Sequence, residues 1–156
     1  MGPQMDKLID LTEKIIEKLN HIGEFLPLLA IRILIAYEFF DAGVEKLRGQ
    51  NWFGQIQDQF PFPFNLIHTD ISWFLATWSE VLGSVAILVG FATRFSALSL
   101  IILDLVAWYS VHAGSGYNVC SNGFKLPLMY LVLLLPLLFM GPGRASIDEF
   151  IAKKYL

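Results

Sequence analysis

The chain reads as an all-α protein: an integral membrane four-helix bundle, with an N-terminal interfacial amphipathic helix and a short C-terminal amphipathic helix. Three observations carry that reading. Four apolar segments follow one another at about 1.5 Å of rise per residue, three of them of crossing length. The composition is 55% hydrophobic and 16% charged with a mean hydropathy of +0.56, too apolar for a soluble domain of 156 residues. The proline-broken stretch 48–70, Gly114-Ser115-Gly116 with the short loop after it, and Gly141-Pro142-Gly143 bound the segments. The expected organisation is 1–24 for the interfacial helix, 25–143 for the bundle and 144–156 for the last helix. A net charge of −3 offers nothing to nucleic acid, and the single cysteine, Cys120, excludes an internal disulfide or a CxxC pair. The N-terminus is charged and amphipathic, which argues against a cleavable signal peptide there.

Residues 5–22 place Met5, Leu8, Ile9, Thr12, Ile15, Ile16, Leu19 and Ile22 on one face. Asp10, Glu13, Lys14, Glu17 and Lys18 lie largely opposite. Because the next element enters the membrane, this helix is expected to lie in the interface, a soluble helix packing on a partner being the alternative.

The first apolar segment, Leu26–Leu47, is unusually charged. A helical wheel puts Arg32, Ala36, Phe39, Gly43 and Lys46 on one stripe and Glu38, Asp41 and Glu45 on roughly the opposite one. Lipid tolerates neither, so one stripe is expected to face the bundle and the other water, a second helix or a partner protein. Residues 48–70 form an outer loop broken by prolines, whose aromatics suit the headgroup region.

The second segment, Ile71–Gly90, carries Trp73, Thr77, Glu80 and Ser84 on one face. Gly83 and Gly90 are expected to let another helix approach closely. The third, Phe95–Ala113, has Asp104, Trp108 and His112 at i, i+4 and i+8. The fourth, Leu126–Met140, is apolar and holds Pro127 and Pro136. Ser146 and Glu149 form a Ser-x-x-Glu start for the last helix. With the N-terminus inside, seven basic residues fall on the cytoplasmic side and three outside, which favours cytoplasmic N- and C-termini.

Counting from the inner boundary, Arg32 is expected about 9 Å deep, Asp104 about 14 Å, Glu80 about 15 Å and Glu38 about 18 Å. Three carboxylates would share one level, with Arg32 within reach of Glu80 and with Thr77 and Ser84 as further donors. Such a centre admits several readings. A buried carboxylate relays protons. A carboxylate and an arginine near Trp78, Trp108 and Tyr109 hold the head of a quinone. A metal lacks any ExxH or HxxxH spacing to support it. A structural ion pair only fixes helix register. His68, His112 and Cys120 lie towards the outer side, where the ordinary expectation is that they are unrelated.

Arg32, the run Gly43-Val44-Glu45-Lys46-Leu47, Glu80-Val81-Leu82-Gly83, Gly90-Phe91-Ala92-Thr93-Arg94 and Gly141-Pro142-Gly143-Arg144-Ala145-Ser146-Ile147-Asp148 follow in an order and spacing that resembles the DoxX family of small four-helix membrane proteins. The resemblance covers about residues 28–148. It implies redox work at the bacterial inner membrane, as a quinone-linked oxidoreductase subunit or within complexes that handle thiol or oxidative stress. One similar subgroup accompanies maturation of copper-binding peptides. The acidic stripe and the N-terminal helix are not part of the family pattern. The leading expectation is therefore a redox-supporting membrane protein with Glu80 and Arg32 as the catalytic pair. Arg32, Lys46, Trp78, Glu80, Arg94, Asp104 and Trp108 are the quinone-binding set, and no metal is expected. A non-enzymatic scaffold, docking through Glu38, Asp41 and Glu45 or the 48–70 loop, is the second reading, and a small transporter the third. Four short helices of this kind also commonly form homo-oligomers.

Overall fold

The computed structural model describes residues 3–155; Met1, Gly2 and Leu156, at the ends of the first and last expected segments, and the side chains of Pro3, Gln4, Asp6 and Lys7 lie outside the described residues. The elements are α1 (Pro3–Gly23), α2 (Leu26–Arg48), α3 (Thr69–Val89), α4 (Thr93–Ala107), α5 (Lys125–Phe139) and α6 (Ile147–Tyr155). Three 3₁₀ turns, Phe53–Gln55, Gln57–Gln59 and Phe64–Leu66, order the loop between α2 and α3. Beyond Ala107, α4 continues as a wide π-type turn, Trp108–His112, and a 3₁₀ turn, Ala113–Ser115, so the expected regular helix to Ala113 is interrupted.

Helices α2 to α5 share one core. Leu28, Ile35 and Phe39 of α2, Ile87 of α3, Ala97 and Leu100 of α4, and Leu134 and Leu137 of α5 are buried together. The stripe Arg32, Ala36, Phe39 and Gly43 is the buried face of α2, and Thr77, Glu80, Ser84 and Ile87 that of α3. Their tightest approach is at Gly43, where an added Cβ would stand 2.7 Å from Val81 Cγ2 and 3.0 Å from Glu80 Cβ. Between α2 and α3 Gly43 is the close-packing glycine, and of the two expected ones Gly90 is closely approached, by Ser146 and Arg32, while Gly83 is not. Gly83 has ordinary contact distances to Leu100, and Gly90 takes φ 71° as the left-handed end of α3, where a side chain would collide with Ser146.

Among the described residues, two helices are long and apolar enough to cross a membrane: α3, and α4 with its continuation to Ser115. α2 is long enough but heavily charged, and α5 has 15 residues. Every described side chain of α1 is exposed, including the apolar face from Met5 to Ile22. In α6, Ser146 Oγ accepts from Glu149 N at 3.1 Å, while the Glu149 carboxylate pairs with Lys153 at 3.2 Å instead of closing the reciprocal half of the box.

Candidate functional site

Arg32 does not meet Glu80. It is 2% exposed, and its guanidinium donates to four carbonyls: Ile87 O at 2.8 Å, Leu88 O, Pro142 O at 3.2 Å and Ala145 O at 2.6 Å. The physical reason is register. Ile87 and Leu88 lie two turns from Glu80, roughly 11 Å along α3, at the helix end where carbonyls lack intrahelical partners. The planar fork of an arginine suits several such oxygens at once. The same end is closed by Asp148, which accepts from Ala92 N at 2.8 Å and Thr93 N at 3.0 Å and so caps α4, while its own N–H donates to Gly90 O at 2.9 Å. The residues 90–94 and 141–148 are therefore one structural lock, with Arg32 at its centre.

Glu80 pairs with Lys46. Lys46 Nζ donates to Glu80 Oε1 at 2.8 Å; the lysine side chain is 18% exposed and the glutamate 3%. Gly43 sets this up by letting α2 press on α3 one turn below Lys46. Thr77 and Ser84 do not serve Glu80: their hydroxyls donate to Trp73 O at 2.7 Å and Val81 O at 2.9 Å within the helix. Glu80 Oε2 is left buried with no partner among the described residues.

The ion pair sits on the wall of a cavity of about 440 Å³ between α3, α4 and the 48–70 loop. Leu75 and Ala76 of α3 and Ile102, Leu103 and Val106 of α4 make its sides apolar. The loop supplies a roof. Phe53 packs edge-on against Trp73 at 5.0 Å and Phe60 at 5.3 Å, and Phe60 is buried. Some of the loop's aromatics turn inward in this way, while Phe62 and Leu66 stay exposed. Two further lining hydroxyls, Ser72 Oγ and Ser110 Oγ, are buried without a partner. The π-type turn carries Ser110, Val111 and His112 onto the wall, and His112 Nδ1 contacts Asn122 O at 2.9 Å.

The other expected site residues stand elsewhere. Trp78 is 39% exposed and leans on Phe74; Arg94 is exposed at the locked end, donating to Phe139 O at 3.4 Å. Trp108 stacks on Phe124 at 5.2 Å. His112 lines the cavity and Trp108 does not. Asp104 is 5% exposed on the core face with Ala97 and Leu100, and its Oδ2 has no partner among the described residues. Of the three expected carboxylates, Glu80 pairs with Lys46, while Glu38 accepts from Tyr130 Oη at 2.6 Å and Asp104 also lies near that tyrosine; Asp41 and Glu45 are exposed. His68 caps α3, accepting from Asp70 N at 3.3 Å, and Cys120 is exposed in the loop after α4.

The cavity serines and the loop aromatics escaped the sequence reading. The signal was available for α4, where Ser99, Ile102, Leu103 and Val106 keep helical spacing, but nothing in the sequence marks the π-type turn that adds Ser110.

Comparison with known proteins bears on the whole chain. The DoxX family pattern matches residues 27–113. An "uncharacterized protein" of Haemophilus influenzae is 56% identical over 138 residues, covering 88% of this chain and 91% of its own length. A second H. influenzae protein is 28% identical over 144 residues, and the "inner membrane protein YqjF" of Escherichia coli is 30% identical over 139 residues, 89% of this chain and 99% of that one. No solved structure matches.

Proposed function

The chain belongs to the DoxX family of membrane proteins, and from that premise we propose that its Lys46–Glu80 cavity binds the head of a quinone in support of a redox process. The observation that carries this reading is the wall chemistry: an apolar chamber of about 440 Å³ with three buried polar atoms, Glu80 Oε2, Ser72 Oγ and Ser110 Oγ, left without partners. Orphaned polar atoms in a dry cavity are costly, and a ligand with a small polar head and an apolar body relieves them. A bound quinone supplies reversible electron and proton transfer. The chain's part is to orient the head, exclude water with Phe53 and Phe60, and offer Glu80 as a proton-accepting oxygen steadied by Lys46.

The same reading takes α2 to α5 as four crossings of a bacterial inner membrane with both termini cytoplasmic. Its support is the excess of basic residues on that side and the inward pairing of α2's charges: Arg32 to carbonyls, Lys46 to Glu80, Glu38 to Tyr130. The exposed apolar face of α1 then rests on the membrane interface. The test is organic extraction of gently purified protein with quantification of quinone. Near-stoichiometric quinone in the wild type and its loss in folded Glu80→Gln is expected; none in the wild type removes the reading.

A second reading has its own observation. Asp41 and Glu45 are exposed on α2 and make no ion pair among the described residues, as a docking face for a partner protein would. Co-purification of a partner that survives Glu80→Gln and is lost in Asp41→Asn/Glu45→Gln would favour it.

A further inference from the structure

We propose that the cavity is selective for the reduced, hydroxyl-bearing form of its ligand, a hydroquinone or a phenol of similar size, over the oxidised quinone. This rests on the cavity-binding reading above. One oxygen of the Glu80 carboxylate is already held by the Lys46 ammonium at 2.8 Å, and the other, Oε2, is buried with nothing to bond. A carboxylate facing an ammonium at that distance is an acceptor on both oxygens, so whatever satisfies Oε2 must donate. A hydroquinone or phenol brings an O–H to that position. An oxidised quinone presents carbonyl oxygens, which only accept; it would leave Oε2 unpaired and set lone pairs against it.

The other two orphaned atoms do not discriminate. Ser72 Oγ and Ser110 Oγ belong to hydroxyls, which donate to a carbonyl and accept from an O–H equally well. Lys46 also lines the cavity, and the remaining donors of its ammonium serve the oxygen of either form, so the discrimination falls on Glu80 Oε2. Leu103 and Val106 are among the apolar residues that line the same cavity, and in such low-polarity surroundings an unmet acceptor is costly.

The experiment is equilibrium binding to the full chain in lipid nanodiscs under anaerobic conditions. The probes are the tail-less pair 2,3-dimethoxy-5-methyl-1,4-hydroquinone and its benzoquinone, which partition little into lipid. The hydroquinone is expected to bind about tenfold more tightly, the size of one hydrogen bond to a charged group. In Glu80→Gln the ratio should fall towards one, because an amide both donates and accepts. Ser110→Ala should weaken both probes alike. Equal binding, or tighter binding of the benzoquinone, to the wild type overturns the selectivity and leaves the quinone-site reading standing. Binding of neither probe overturns both. The wild-type ratio decides by itself should Glu80→Gln fail to fold.

Discussion

Two cations on one stripe of α2 carry out different tasks. Arg32 spends four of its five N–H donors on backbone carbonyls at the locked end, away from the cavity, whereas Lys46 holds one carboxylate oxygen and leaves the other free. Arg32→Lys should lose about 2–4 kcal/mol, because a lysine cannot reach four acceptors and buried carbonyls go unpaired. Quinone bound per folded molecule should stay at the wild-type level. Unfolding in detergent, read beside quinone content, checks this; a loss of quinone at unchanged stability would return Arg32 to the ligand site. The ion pair itself should be asymmetric. Lys46→Met strands a glutamate that is 3% exposed and should cost about 3–5 kcal/mol. Glu80→Gln leaves a lysine that is 18% exposed and long enough to reach water, so it should cost clearly less. Equal losses in the two variants would mean that the pair is not buried as described.

At the level of elements, the contact between α2 and α3 sets the site. Gly43→Ala would put a methyl 2.7 Å from Val81 Cγ2 and 3.0 Å from Val81 N, so the helices must separate. A cost of about 1–3 kcal/mol, with weakened quinone retention because Lys46 moves with α2, is the expected result. Unfolding and quinone content measured on the same sample test it. Helix faces were legible in the sequence because burial follows the 3.6-residue period: the stripes of α2 and α3 read from a wheel are the buried ones. Pairing across helices was not legible. It depends on how far each helix slides along its neighbour, and an error of two turns is what separated Arg32 from Glu80. The phase of α4 beyond Ala107 was lost for a different reason. A π-type turn takes more residues per turn than an α-turn, and no residue type announces it.

Across the whole molecule, most polar ties gather in two places, with Glu38–Tyr130 and the buried Asp104 apart from both. One holds Arg32, Gly90, Asp148 and Ser146 and fastens the turn between α3 and α4 to the segment before α6. The other holds Lys46, Glu80 and the cavity beneath the 48–70 loop. In a bilayer, apolar side chains gain little by leaving lipid for protein, so such polar ties bear more of the specificity of folding than they would in water. The motifs that carry the family resemblance fall mostly on the first place. This is why they identified the family readily and the ligand site poorly. The topology has a built-in reporter: Cys120 is the single cysteine and is exposed in the loop between α4 and α5. A membrane-impermeant maleimide should label it in intact spheroplasts, and labelling only after lysis would reverse the orientation.

Covalent labelling locates a quinone bound at the Lys46–Glu80 cavity: a photoreactive azidoquinone is irradiated with the membrane-embedded protein and the adducts are found by peptide mapping. Adducts on the cavity wall, at residues 52–60, 72–80 and 99–112, that are displaced by excess quinone are the expected result. Adducts confined to the locked end around Arg32, Arg94 and Pro142, or spread evenly over the exposed helix faces, would contradict it.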